Sequence, residues 1–330
     1  MSRAPLHIAQ SLAETVGRRL VGRSRRPGWP LLFEVAVGVL RRNFLYASGL
    51  SPQAARAFND ELGRAQPFRH AVDRRRETIA GVPVERFTPR AGGAPETTVV
   101  YLHGGSYIMG SASMHADLIA RLALAGLSVV AVEYRLAPEH RIVDAVADVC
   151  AVFRALVAGG LDPRAATLAG DSAGGGLAYL VAIALRDAGA KGGPTPAALA
   201  TIAPWVDLRC LGPSLEENER YDWGTAAVLR EQGRLAAGDT PLDDPSISPA
   251  FADLRGLPPS LIHVGEAEIV RDPVIAFGEA LRAAGNDVEV KRWPDMVHDF
   301  HLLAEFHPMA LSAIEHLAAF LRARGARRAP

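Results

Sequence analysis

Five residues, Gly170-Asp171-Ser172-Ala173-Gly174, constrain this chain more than any other stretch. They follow a short apolar run, Thr167-Leu168-Ala169, and open a segment of helical composition, Ala173–Asp187. A serine between two such glycines, where a strand turns into a helix, sits on a tight and strained bend that exposes its hydroxyl. Flanking Cβ atoms would collide there, which is why glycine stands on both sides. Gly174, Gly175 and Gly176 also let the helix approach the sheet closely. The helix N-terminus behind the serine favours negative charge. The alternative, a chance Gly/Ser turn, leaves the flanking strand and helix unexplained, so Ser172 is expected to be a nucleophile.

The rest of the chain supplies the framework that such a bend needs. From about residue 76, apolar β-rich runs alternate with helical stretches. The runs are 98–102, 127–132, 167–169, 199–203, 261–264 and 288–293. The helical stretches include 116–125, 144–157, 173–187, 273–284 and 308–324. Strands alternating with helices predict an α/β fold, a mostly parallel central sheet with helices on both faces. Ligands then bind beyond the carboxyl ends of the strands.

Two segments break this alternation. Residues 5–63 read as helical, with Ile8, Leu12, Val16 and Leu20 forming one apolar stripe. Helices are expected over 31–42 and 51–62, the latter capped by Ser51-Pro52. Residues 205–258, rich in Pro, Gly and charge, read as an insertion.

A serine needs a base, and the base needs a carboxylate to orient it. In this order of elements the acid and then the histidine follow the serine. His298 comes just after the last strand, whereas His301 and His307 fall on expected helix and His263 within an apolar strand. The acid should follow the 261–264 strand, where Glu266, Glu268 and Asp272 all qualify. Backbone N–H groups must meet the developing oxyanion. Ala173 offers one, and Gly104 and Gly105 of His103-Gly104-Gly105-Ser106 offer others.

Together these residues resemble the α/β-hydrolase fold, in its hormone-sensitive-lipase-like branch, the bacterial family IV esterases. The resemblance spans roughly residues 76–325. It includes His103–Tyr107, Tyr134-Arg-Leu-Ala-Pro-Glu-His140, Gly170–Gly175, Gly256-Leu-Pro-Pro259 and the segment around His298. It implies a helical cap built from residues 1–75 and about 205–250 over a core of residues 76–330. It implies Glu268 as the catalytic acid, because the family's second Asp aligns with Asp272, which becomes a supporting group beside His103 and Asp171. It also implies serine carboxylesterase activity on short acyl chains. Ser106, Tyr107 and Trp205 are candidates for the substrate pocket, and Trp29, Trp205, Tyr221 and Trp223 are candidates to line an apolar cap, with ordinary cap packing as the alternative for each. This sequence departs from the family at Ser106, which replaces a third glycine, and at Arg141-Ile142-Val143, where prolines are usual.

Composition excludes several classes. The 36 basic and 36 acidic residues cancel, so no global field recruits nucleic acid. The two cysteines, Cys150 and Cys210, cannot build a disulfide framework or a zinc site. No cofactor or metal is expected. Residues 1–20 lack a signal-peptide pattern and no segment suits stable membrane insertion, so a cytoplasmic location is expected. The arginines at 18, 19, 23, 25 and 26 raise peripheral attachment as an alternative to a solvated face. A homodimer stays open. The partner is read as a small-molecule ester, with a lactone, an acetylated natural product or an amide as alternatives. A non-catalytic small-molecule-binding protein is the reading from another class; such proteins typically lose the histidine, which is present here.

Overall fold

A computed structural model describes residues 3–64, 72–189 and 193–325. Parts of the expected 1–75 segment, residues 1–2 and 65–71, therefore lie outside the described residues. The chain opens with α1 (Ala4–Leu20), α2 (Leu31–Ser48) and α3 (Pro52–Arg64). The core then runs β1 (Val72–Ile79), β2 (Val82–Pro89), β3 (Thr98–Leu102), α4 (Ala116–Leu124), β4 (Ser128–Val132), α5 (Ile142–Ala158), β5 (Ala166–Asp171) and α6 (Ser172–Gly189). It continues through β6 (Leu199–Ile202), α7 (Ser214–Glu217), α8 (Ala226–Ala237), β7 (Ser260–Gly265), α9 (Arg271–Ala283), β8 (Val288–Trp293) and α10 (Pro308–Gly325).

Among the described residues, eight strands form one sheet in the order β1-β2-β4-β3-β5-β6-β7-β8. From β4 to β8 every pairing is parallel. Every residue of β3, β4, β5, β6 and β7 is buried, which requires cover on both faces. On these layers α4 packs with α10 and α5 with α6.

The β1–β2 hairpin is antiparallel and was not anticipated strand by strand. Its first strand, Val-Asp-Arg-Arg-Arg-Glu-Thr-Ile, is too charged to stand out as an apolar run. It is an edge strand, closed by Ala80-Gly81 with both φ positive, as a tight hairpin turn requires. It also begins at Val72, ahead of the boundary expected at residue 76.

The apolar stripe on α1 faces solvent. Ile8, Leu12, Val16 and Leu20 are 52%, 43%, 38% and 82% exposed, while His7, Ser11 and Thr15 are buried against the protein. The buried polar face is used: His7 Nδ1 is 2.7 Å from Asn43 Oδ1 on α2. Nearby, buried Glu34 accepts from Arg19 Nε at 2.9 Å and from the Arg25 N–H at 2.7 Å. Arg18 and Arg26 pair with Glu14 and Asp295. Among the described residues no helix is long and apolar enough to cross a membrane.

Candidate active site

The bend after β5 has the geometry its sequence demands. Ser172 has φ +49, and a Cβ on Gly170 would reach within 2.5 Å of the Gly174 carbonyl oxygen. Ala173 follows in the first turn of α6, where N–H groups have no intrahelical acceptor. His298 lies in the loop after β8, and its Nε2 is 3.0 Å from Ser172 Oγ. Burial of the imidazole lowers its pKa to about 4, leaving it neutral and able to accept a proton near pH 7.

Glu268 is buried in the turn after β7, and its Oε2 accepts the Gly265 N–H at 3.1 Å. Burial first, and the nearby Asp222 carboxylate second, push its pKa well above the usual value. No hydrogen bond joins it to His298. Glu268 Oε1 and His298 Nδ1 are both buried without a partner. Of the other acid candidates, Glu266 pairs with exposed Arg292 at the surface. Asp272 accepts from Arg271 and from the Ser214 N–H, tying the start of α7 to α9.

Asp222 holds this region together and was missed from sequence. Its Oδ1 accepts the N–H groups of Trp223 and His298, and its Oδ2 accepts that of Ile269. One carboxyl from the insertion therefore anchors both loops that carry His298 and Glu268. Burial raises its pKa to about 7. Arg41 of α2 donates to the carbonyls of Glu219 and Asp222, tying the N-terminal helices to the same point. Asp299, also missed, is buried in the left-handed region with Oδ2 3.3 Å from His298 Nε2. It approaches from the nitrogen that faces Ser172, so it cannot orient Nδ1.

The glycine loop departs from expectation at one atom. The Gly104 N–H donates to Asp171 Oδ2 at 3.0 Å and is already committed. A Cβ at Gly104 would collide with that carboxylate, which explains the glycine. The N–H groups of Gly105 and Ser106 meet no acceptor among the described residues, so they, and not Gly104, are free beside Ser172. Asp171 also accepts from Tyr101 Oη at 2.5 Å and pairs with His115 Nε2 at 3.0 Å. Burial opposes both charges, but the pair more than offsets it, lowering the Asp171 pKa and raising that of His115. His103 lies behind this layer, stacked on Tyr134, whose hydroxyl donates to the His103 carbonyl.

Ser172 and His298 line an apolar cavity of about 90 Å³. Its walls include Leu40 and Phe44 from α2 and Trp205, Trp223 and Leu229 from the insertion. Trp223 Nε1 donates to the His298 carbonyl at 2.6 Å. Tyr107, expected to face the substrate, instead lies fully buried behind the wall, 6.2 Å from Trp205 between ring centres. Neither Trp29 nor Tyr221 reaches the cavity; Trp29 packs on Phe33 and donates to the Asp295 carbonyl. His263 is a core residue, bonded to His301 and His316. Cys150 and Cys210 are free and buried.

Comparison with known proteins adds an independent line. The sequence profile of the alpha/beta hydrolase fold family matches residues 99–302. An acetyl-hydrolase of Streptomyces hygroscopicus is 41% identical over 274 residues, covering 79% of this chain and 90% of that one. An esterase of Acinetobacter venetianus is 31% identical over 274 residues, covering 82% and 89%. A crystal structure of an esterase from the bacterial hormone-sensitive lipase family superposes with TM-score 0.81 at 32% identity, covering 87% and 97%.

Proposed function

The chain belongs to the α/β-hydrolase family, in its hormone-sensitive-lipase-like branch, and is a carboxylic ester hydrolase; we propose that it is a serine esterase of short-chain esters, with Ser172, His298 and Glu268 as its triad. The observation that carries this is the 3.0 Å contact between Ser172 Oγ and His298 Nε2 at the wall of a small apolar cavity. The two orphaned buried atoms, Glu268 Oε1 and His298 Nδ1, are an acceptor and a donor of matching kind. Leaving both unsatisfied costs about 1–3 kcal/mol each, so closing this contact is favourable.

In the first step Ser172 Oγ attacks the ester carbonyl carbon while its proton passes to His298 Nε2. The N–H groups of Gly105, Ser106 and Ala173 receive the oxyanion, and Glu268 holds the imidazolium in place. The carbon–oxygen bond to the alcohol then breaks, and Nε2 returns the proton to the departing oxygen. Water then attacks the acyl carbonyl while Nε2 takes its proton, the bond to Ser172 Oγ breaks, Nε2 returns the proton to Oγ, and the carboxylic acid leaves. Residues 4–64 and 205–250 act as a cap that walls the cavity and limits acyl length. Ser172→Ala should abolish hydrolysis of p-nitrophenyl acetate, and retention of most activity would sink the assignment.

A second reading on the same machinery is hydrolysis of acetyl groups from a larger molecule. The relative named acetyl-hydrolase favours it. A panel of p-nitrophenyl esters from acetyl to palmitoyl, run beside lactones and acetylated amines, separates the readings. Preference for long chains would contradict both. A protein that only binds a ligand would not label at Ser172 with a fluorophosphonate.

A further inference from the structure

Ser106 is the one residue of the His103–Ser106 loop that adds a side chain to a left-handed backbone. Its φ is +57, a region that favours glycine. Something must hold a serine there, and the contacts identify it. The Ser106 hydroxyl, buried, donates to Gln232 Oε1 at 2.5 Å. Gln232 lies on α8 in the middle of the insertion and is itself buried. Its Nε2 donates to Ser48 Oγ at 3.2 Å, and Ser48, the last residue of α2, donates to the Phe44 carbonyl at 2.8 Å. Phe44 lines the cavity over Ser172.

Each group in this line gives one hydrogen bond forward, so the run Ser106–Gln232–Ser48–Phe44 has a consistent direction. It joins the glycine loop, the insertion and the N-terminal helices, which are far apart in sequence. We propose that Gln232 is a positioning residue of the oxyanion site: it grips the Ser106 hydroxyl, aims the Ser106 N–H, and so makes the site complete only when α8 and α2 are seated over the cavity. The inference rests on the serine-esterase reading above. Gln232 acts through the Ser106 N–H, which meets charge that develops in the transition state, so its loss should fall on kcat rather than KM.

The test is a cycle of Gln232→Ala, Ser106→Gly and the double variant, assayed with p-nitrophenyl acetate. Gln232→Ala should lower kcat by roughly tenfold to a hundredfold, with KM changed less than about threefold. In the Ser106→Gly background there is no hydroxyl to grip, and the same change should alter kcat by less than about twofold. A merely structural role would reduce kcat by the same factor in both backgrounds, and that result overturns the proposal. So does an unchanged kcat for Gln232→Ala alone. Gln232→Met keeps the volume without the acceptor and replaces the alanine if melting temperature falls. Failure of the underlying reading shows separately, as hydrolysis retained by Ser172→Ala.

Discussion

At the scale of single residues, the environment of His298 decides the expected pH behaviour. Burial pushes its pKa down to about 4 and pushes that of Glu268 up. As pH falls, Glu268 takes up a proton first and can no longer accept from Nδ1. The acid limb of kcat/KM should therefore lie above the ordinary carboxylate range and belong to Glu268. Glu268→Gln should lower kcat by roughly 10³–10⁴ through loss of the right tautomer. The residual activity should then keep its acid limb only where His298 itself protonates, near pH 4. A pH–rate profile of the variant that overlays the wild type would count against Glu268 as the acid. Sequence alone could not separate Glu268 from Glu266 and Asp272; the family alignment chose it, and burial distinguishes it from Glu266 on the surface.

At the scale of elements, α1 is the instructive case. A stripe at every fourth residue was legible, and so was the helix, but periodicity does not say which face meets the protein. The His7–Asn43 contact and the packing of Ser11 against Gly38 turn the small and polar face inward. Replacing Ile8, Leu12 and Val16 together with serine should consequently change stability by no more than about 0.5 kcal/mol per site. Differential scanning calorimetry checks this, and a loss of several kcal/mol would mean that the face is covered in solution. The sequence predicts a second helix over 31–42, whereas α2 runs to Ser48. Those extra turns carry Asn43, Phe44 and Ala47 onto the cavity. Nothing in Asn-Phe-Leu-Tyr-Ala-Ser marks a stop, and Asn43 is held by His7 of α1.

At the scale of the whole molecule, Arg41 and Asp222 bind the N-terminal helices, the insertion and the two catalytic loops into one body. Arg41→Ala removes hydrogen bonds from a charged donor to the carbonyls of Glu219 and Asp222, and should destabilise by roughly 2 kcal/mol. Faster proteolysis within residues 205–250 would report the same loosening. Asp222 and Asp299 are both raised by burial, so the folded state holds their protons more tightly than the unfolded chain. A raised pKa contributes stability below the unfolded value and loses it as pH climbs through the folded one. His298, His263 and His301 are lowered and act in the opposite sense, but only below about pH 6.5. Melting temperature should accordingly fall between pH 6.5 and 8. A flat or rising profile there would contradict proton retention by Asp222 and Asp299 in the native state.

What the sequence determined by itself is local and periodic. The bend at Ser172, the alternation that makes a parallel sheet, the glycine loop after β3 and a histidine after β8 all follow from short-range sterics and hydrophobic pattern. The long-range polar contacts come from the tertiary fold, because a buried polar group takes whichever partner the fold brings near. Gly104 turned out to serve Asp171, leaving Ser106 in its place at the cavity. Asp222 and Gln232, ordinary polar residues in a charged insertion, acquired roles only when chain segments more than 70 residues away closed around them.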